Sequence, residues 1–205
     1  MEILEVFADV ACPFAHAGLA RFRAFREEQG GDRPVLRVRA WPLELVNGKA
    51  LDGPSLTPKI AALRADVAPD QFGGFDERHF PATSLPAMVS EAAAYRVGAA
   101  AGERFSLAVR NALFEEGLNV ADADVLRRLR EAHGVPAPTA ADEAAVQADY
   151  AEGRRRGVDG SPHFFTPDGD FFCPSLDIAH DEDGYDVTFD GAGFQRFVTA
   201  VFGQM

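Results

Sequence analysis

Two short segments hold the residue types that could do chemistry. Cys12 stands where an apolar strand pattern gives way to a helix pattern, in Ala8-Asp-Val-Ala-Cys-Pro-Phe-Ala-His-Ala-Gly-Leu19. Pro13 suits a first helical turn, where its missing N–H is no loss. A cysteine there meets unpaired backbone N–H groups and the positive end of the helix dipole, and both favour thiolate over thiol. A thiolate is the form that attacks disulfides and other electrophiles. The plain alternative is a buried, inert small hydrophobe. His16 follows one helical turn on and shares a face with Cys12. A protonated imidazole there would favour the thiolate further, while the bland reading is a solvated first-turn histidine. About 150 residues later, Gly157-Val-Asp-Gly-Ser-Pro-His-Phe-Phe165 offers Ser161 and Pro162 in an X-Pro turn entering a strand.

Other candidates weigh less. His163 follows the proline, and strand alternation turns it away from whatever Pro162 faces, so a structural role is expected. Cys173 is the only other thiol. Hairpin pairing sets it across from Ser161–Pro162, with one strand between it and the strand leading to Cys12. Two strand spacings are roughly 9–10 Å, beyond the ~7 Å between Cα atoms that a disulfide tolerates. An intramolecular Cys12–Cys173 bond is therefore not expected. Arg154-Arg-Arg156 fits a helix C-terminal charge cluster, but Arg155 lies close before the Pro162 loop and could serve an acidic thiol such as glutathione. No ligand spacing supports a metal site, and the acidic turn Asp181-Glu-Asp-Gly184 lacks the alternating oxygens of a calcium loop. Trp41, Phe72, Phe75 and Phe80 are candidates to wall a cleft, Phe72 and Phe75 on a Gly-rich loop that could act as a lid.

The elements that must position these residues read as βαβ, a helical block, then ββα. Glu2 to Phe7 is a strand, followed by a helix to about Gly30 and a second strand over Val35 to Trp41. Asn47 to Pro58 reads as loop. Lys59 to Val67, Ser84 to Ala101, Glu103 to Glu116, Asp122 to His133 and Thr139 to Arg156 read as helices, with Ser84 a candidate cap. His163 to Cys173 is a hairpin, Ser175–Ala179 and Tyr185–Phe189 flank a second turn, and Phe194 to Phe202 closes the chain as a helix. The first helix serves as the crossover that parallel strands need. The expected fold is an α/β four-stranded sheet assembled from both ends of the chain, residues 1–47 and 158–205, with an all-helical insertion, 48–157, between the second and third core strands.

Composition narrows the function. The chain has 205 residues, 47% of them hydrophobic, and a formal net charge of −12, so a globule is expected and nucleic acid and anionic membrane are poor partners. Two cysteines make no disulfide framework, and Met1-Glu-Ile-Leu-Glu-Val-Phe7 has no basic n-region or signal-length apolar run. A reducing cytoplasm is the expected compartment.

Together these residues resemble the DsbA family of thioredoxin-fold proteins, including its cytoplasmic branch and the related 2-hydroxychromene-2-carboxylate isomerases and kappa-class glutathione transferases. Cys12-Pro13-Phe14-Ala15, Arg39-Ala-Trp-Pro-Leu-Glu-Leu45, Arg104 to Gly117 and, most specifically, Ala148 to Phe165 bear the likeness. It implies a thioredoxin-like sheet and a cis proline at Pro162, with Ser161–Pro162 against the active site. The chain departs from the dithiol pattern Cys-X-X-Cys, because Ala15 holds the second position, and from the isomerase and transferase branch, which has Ser where Cys12 stands. The expected function is a monothiol thiol–disulfide oxidoreductase with Cys12 as nucleophile, Pro13 and His16 beside it, and Ser161–Pro162 as substrate platform. No cofactor is expected to be tightly bound. Glutathione or a similar low-molecular-weight thiol would be the cosubstrate, and the substrate a small thiol or disulfide or a protein thiol. The alternatives are a glutathione-type isomerase or transferase, and a binding protein that kept the fold without the chemistry.

Overall fold

The computed structural model describes residues 2–181 and 184–203. Strand β1, Ile3–Ala8, is followed by helix α1, Pro13–Glu28, and by strand β2, Val35–Ala40. β1 and β2 pair in parallel from Ile3↔Val35 to Ala8↔Ala40, which α1 permits as their crossover. The chain returns to this sheet only at β3, His163–Thr166, and β4, Gly169–Phe172. The strand order is β2-β1-β3-β4, with β3 antiparallel to both neighbours. This is the expected thioredoxin-like sheet, and the chain between its second and third strands is largely helical. Those helices are α2 (Leu43–Asn47), α3 (Gly53–Ala62), α4 (Leu85–Val97), α5 (Ala99–Phe114), α6 (Ala123–Ala132) and α7 (Ala140–Arg156), with a π-helical turn at Leu63–Val67. A separate hairpin, β5 (Leu176–Asp181) and β6 (Gly184–Phe189), precedes the last helix, α8 (Gly191–Phe202). The tip residues 182–183 of the acidic turn lie outside the described residues.

Alternation in the strands divides the core. Leu4, Val6, Leu36, Val38 and Phe164 face α1 and α8, where Leu19, Phe22, Phe197 and Val198 are buried. Phe7 points to the other side, against Trp41 and Val158. There α7 lies close enough that a Cβ on Gly153 would meet the Trp41 ring at 2.6 Å, so only glycine allows this approach. A second core fills the helical block and includes Phe105, Val109, Phe114, Leu63 and, from the hairpin, Leu176 and Val187.

The helical block is fastened to the sheet by the free edge of β2. Strand edges present unpaired N–H groups at every second residue. Here Leu36 N–H donates to Glu103 Oε2 (3.0 Å), Val38 N–H to the Tyr95 hydroxyl (2.8 Å) and Ala40 N–H to Asp149 Oδ2 (3.2 Å). Three helices thus supply the acceptors that a fifth strand would supply. Tyr95 also donates its hydroxyl to Leu36 O, and Glu103 is neutralised by buried Arg26 at 2.6 Å. A buried charge needs such a partner and the hydrogen bonds around it.

Two expectations fail locally. The loop expected over Asn47 to Pro58 is mostly helix: Asp52 caps α3 by accepting Ser55 N–H at 2.9 Å, and Pro54 occupies the first turn. Gly53-Pro-Ser, although rich in loop-type residues, is the first turn of a helix capped by Asp52. Ser84 does precede α4 but makes no capping bond; its hydroxyl donates to Asp9 instead.

Candidate active site

Cys12 occupies the N-cap position of α1 with extended backbone, and buried Pro13 is the first helical residue. The chain between β1 and this cap is held by Asp9. Its backbone carbonyl accepts Cys12 N–H and its Oδ1 accepts Ala11 N–H at 2.8 Å, an Asx turn that sets the direction of entry into the helix. Asp9 Oδ2 reaches further, accepting Leu43 N–H at the start of α2 (2.7 Å) and the Ser84 hydroxyl (3.2 Å). Asp9 is fully buried, and desolvation lifts its carboxyl from the ordinary 3.8 to about 6 despite these bonds.

Opposite stands Ser161. Asp9 N–H donates to Ser161 Oγ at 2.9 Å, and Cys12 Sγ donates to Ser161 O at 3.1 Å. The Ser161–Pro162 bond is cis. Pro162 packs on α1 at Gly18, where a Cβ would come within 3.3 Å of the proline ring. The structure therefore brings Cys12, Pro13, Ser161 and Pro162 together.

The electrostatics differ from the expectation. Helix N-termini lower a thiol's pKa, and the N–H groups of Phe14 and Ala15 do act in that direction here, as does Ser161. Burial outweighs them: Cys12 is 3% exposed, and desolvation, with the Asp9 carboxylate adding to it, raises the thiol above its ordinary value. The expected low-pKa thiolate is thus corrected to a neutral, enclosed thiol in this conformation.

His16 is neither solvated nor directed at the sulfur. It is 4% exposed, its Nε2 lies 2.6 Å from Glu115 Oε1, and its ring packs against Phe72 and Phe114. Glu115 also accepts the N–H groups of Phe72 (2.9 Å) and Gly73 (3.1 Å). Partial burial pushes the Glu115 carboxyl up, but these hydrogen bonds win and hold it down at about 2. The His16–Glu115 pair therefore fastens the loop around Phe72 to the first turn of α1. Phe72 itself is 2% exposed with a left-handed φ of 65°, a core residue rather than part of a lid. Trp41 meets Phe7 edge-on and lies tilted against Tyr150 on the α7 side, so the four aromatics do not form one wall.

His163 is buried. Its Nδ1 accepts Asp159 N–H at 3.0 Å, which leaves Nε2–H to donate to Asp170 Oδ1 at 3.0 Å, a structural bracket of the β3–β4 hairpin. Arg155 is largely exposed and pairs with Glu152 at 2.7 Å one turn earlier. Arg156 packs over Phe165 at 3.8 Å and pairs with Glu5.

Both cysteines are free thiols, but the strand-spacing argument for Cys173 assumes strand positions. Neither cysteine lies in a strand. Cys173 follows β4 with a left-handed φ of 43°, donates its N–H to Pro162 O at 3.0 Å, and turns its sulfur to 3.9 Å from Ser161 O. Both thiols thus converge on one carbonyl. Burial, with Cys12 adding to it, raises the Cys173 thiol well above its ordinary value.

A thiol at a helix N-cap facing the residue before a cis proline, on a β2-β1-β3-β4 sheet, defines a thioredoxin-fold protein. The chain matches the DSBA-like thioredoxin domain family over residues 3–185 and belongs to it. No curated protein matches it. Among solved structures it is similar to 2-hydroxychromene-2-carboxylate isomerase, at 19% identity and a TM-score of 0.61, covering 83% of this chain and 88% of that one. It is also similar to the cytosolic disulfide reductase DsbM from Pseudomonas aeruginosa, at 14% identity and a TM-score of 0.60, covering 98% and 93%. The structure of DsbM with GSH matches at 16% identity and a TM-score of 0.59, covering 98% and 93%. At these identities the likeness is one of fold. Among the described residues no helix is long and apolar enough to cross a membrane.

Proposed function

We propose that the protein is a thiol–disulfide oxidoreductase in which Cys12 is the nucleophile and glutathione or a similar low-molecular-weight thiol is the cosubstrate. The observation that carries this reading is the position of Cys12 Sγ, at the N-cap of α1 and 3.1 Å from the carbonyl preceding Pro162. As the thiol loses its proton, the N–H groups of Phe14 and Ala15 stabilise the negative charge on its sulfur. The thiolate attacks a disulfide sulfur, one thiolate leaves, and a mixed disulfide remains on Cys12. Ala15 offers no sulfur one helical turn on, so an external thiol completes the cycle in monothiol fashion. Ser161 and Pro162 form the platform on which the incoming disulfide lies. The partner is a small disulfide or a protein thiol, and the setting a reducing cytoplasm, in keeping with two free cysteines. Arg155, on an exposed turn of α7, is the proposed contact for an acidic thiol's carboxylate.

The raised pKa of Cys12 favours a second reading, in which the neutral thiol only hydrogen-bonds the sulfur of a bound thiol in an isomerase or transferase. Intact mass after incubation with glutathione disulfide separates the two. A glutathionyl adduct that disappears in Cys12→Ser supports thiol–disulfide exchange. Saturable binding of reduced glutathione with no covalent adduct supports the second reading.

A further inference from the structure

Cys173 has no part in a cycle run by Cys12 and an external thiol, yet its surroundings are specific. It is 5% exposed and sits at the seam where the sheet core and the helical core meet. Its backbone occupies the left-handed region, which a side-chain-bearing residue adopts only at a cost. Glycine would relieve that strain; cysteine instead carries its sulfur under Ser161 O, 3.9 Å away, where Cys12 Sγ already lies at 3.1 Å. The two sulfurs can be no farther apart than those two distances laid end to end. The dipeptide Ser161–Pro162 holds both, Ser161 through its carbonyl and Pro162 through the N–H of Cys173.

We propose that Cys173 is an internal partner thiol for Cys12, one that converts the Cys12 mixed disulfide into an intramolecular Cys12–Cys173 disulfide when external thiol is scarce. This rests on Cys12 being the nucleophile of thiol–disulfide exchange. The electrons balance as follows. Cys12 thiolate attacks a small disulfide RSSR, forming a Cys12–SR bond and releasing RS⁻, which takes the proton Cys12 gave up. Cys173 then loses its proton, its sulfur attacks Cys12 Sγ, the Cys12–SR bond breaks, and the second RS⁻ leaves as RSH. Two protein thiols are oxidised to one disulfide, and RSSR is reduced to two RSH. Two molecules of the same low-molecular-weight thiol reverse both steps. Both thiols are enclosed, but only Cys12 has helix N–H groups, those of Phe14 and Ala15, to stabilise its thiolate, so exchange with an oxidant starts at Cys12. The small thiol and the internal thiol thus compete for one mixed disulfide, and the thiol concentration decides which product accumulates.

The test uses the full chain with both cysteines reduced, freed of small thiols and treated with glutathione disulfide. Intact mass and non-reducing peptide mapping are followed over time. The wild type should pass through a glutathionyl adduct on Cys12 to a form two hydrogens lighter than the dithiol, with the Cys12 and Cys173 peptides joined. In Cys173→Ala, checked for folding by its circular dichroism melt, the adduct should persist on the order of tenfold longer or more, because intramolecular attack is lost. A wild-type adduct as long-lived as that of Cys173→Ala, with no joined peptides, overturns this inference and leaves Cys12 as nucleophile. The joined peptides are read in the wild type alone, so the inference stays testable even if the variant does not fold. Absence of both adduct and cross-link removes Cys12 as nucleophile, and this inference with it.

Discussion

Cys12 and Ser161 clasp each other across the top of the sheet. Ser161 O accepts the Cys12 thiol at 3.1 Å, while Ser161 Oγ accepts the N–H of Asp9, just before the cysteine, at 2.9 Å. The two segments are 149 residues apart in sequence and are joined by both ends of one serine. The clasp keeps the sulfur enclosed, and enclosure decides its acid–base behaviour.

The alkylation rate of Cys12 should therefore keep rising with pH beyond the ordinary free-cysteine value of ~8.5, since burial raises this thiol. Iodoacetamide kinetics from pH 6 to 10 with mass-spectrometric site assignment check this. A rate that levels off well below that value would show that the helix terminus prevails over desolvation.

Asp9 gives stability a pH dependence of definite sign. Its folded pKa, about 6, lies above the ordinary 3.8, so the fold prefers the protonated acid. That contribution is fully present below the unfolded pKa and is lost as pH rises through about 6. A shift of about 2 units corresponds to about 3 kcal/mol. The difference in unfolding free energy between wild type and Asp9→Ala should shrink by that order between pH 4 and pH 7 in urea titrations. A difference independent of pH would contradict the assignment.

Glu115 acts in the opposite sense, since its folded value of about 2 lies below the ordinary 4.5. Its contribution is present above that ordinary value and fades as pH falls through the folded one. Glu115→Gln keeps the shape but gives up the carboxylate that accepts from His16, Phe72 and Gly73. Weakened bonds to a charged acceptor cost about 1–3 kcal/mol. Faster amide exchange at Phe72 and Gly73 than in the wild type is the readout, and unchanged protection there would count against the bracket.

Ala15→Cys restores a second thiol on the helix. Ala15 is fully buried, so the larger side chain should destabilise by about 1–3 kcal/mol. It should also shorten the life of Cys12 mixed disulfides, because intramolecular attack gains a high effective concentration. Insulin reduction faster than in the wild type is the expected outcome. Equal rates would show that Ala15 is not the limiting difference.

The sheet and its helical insertion were legible because each is written locally, whereas the pairing of Cys12 with Ser161–Pro162, 149 residues apart, came only from the resemblance to the DsbA family. Strand alternation over Ile3–Ala8 and Val35–Ala40, Pro13 at a helix start and Pro162 at a strand entry are short-range signals. What was missed depends on distant partners. Asp9 is one acidic residue in a turn until Leu43 and Ser84 arrive beside it. Glu115 looks like a helix-end charge until His16 meets it. Tyr95 and Glu103 read as plain helix residues, since nothing local says that the edge of β2 needs acceptors. Asp9 had one readable signal, its Asx-turn spacing to Ala11. Cys173 was misplaced because a positive φ at a non-glycine residue leaves no trace in composition.

The central claim is that Cys12 performs thiol–disulfide exchange, and glutathione-dependent reduction of bis(2-hydroxyethyl) disulfide tests it most directly. The wild type should accelerate the reaction above the uncatalysed rate, and Cys12→Ser, with an unchanged melting profile, should return it to that background. Catalysis that survives in Cys12→Ser, or none in the wild type, would contradict the account.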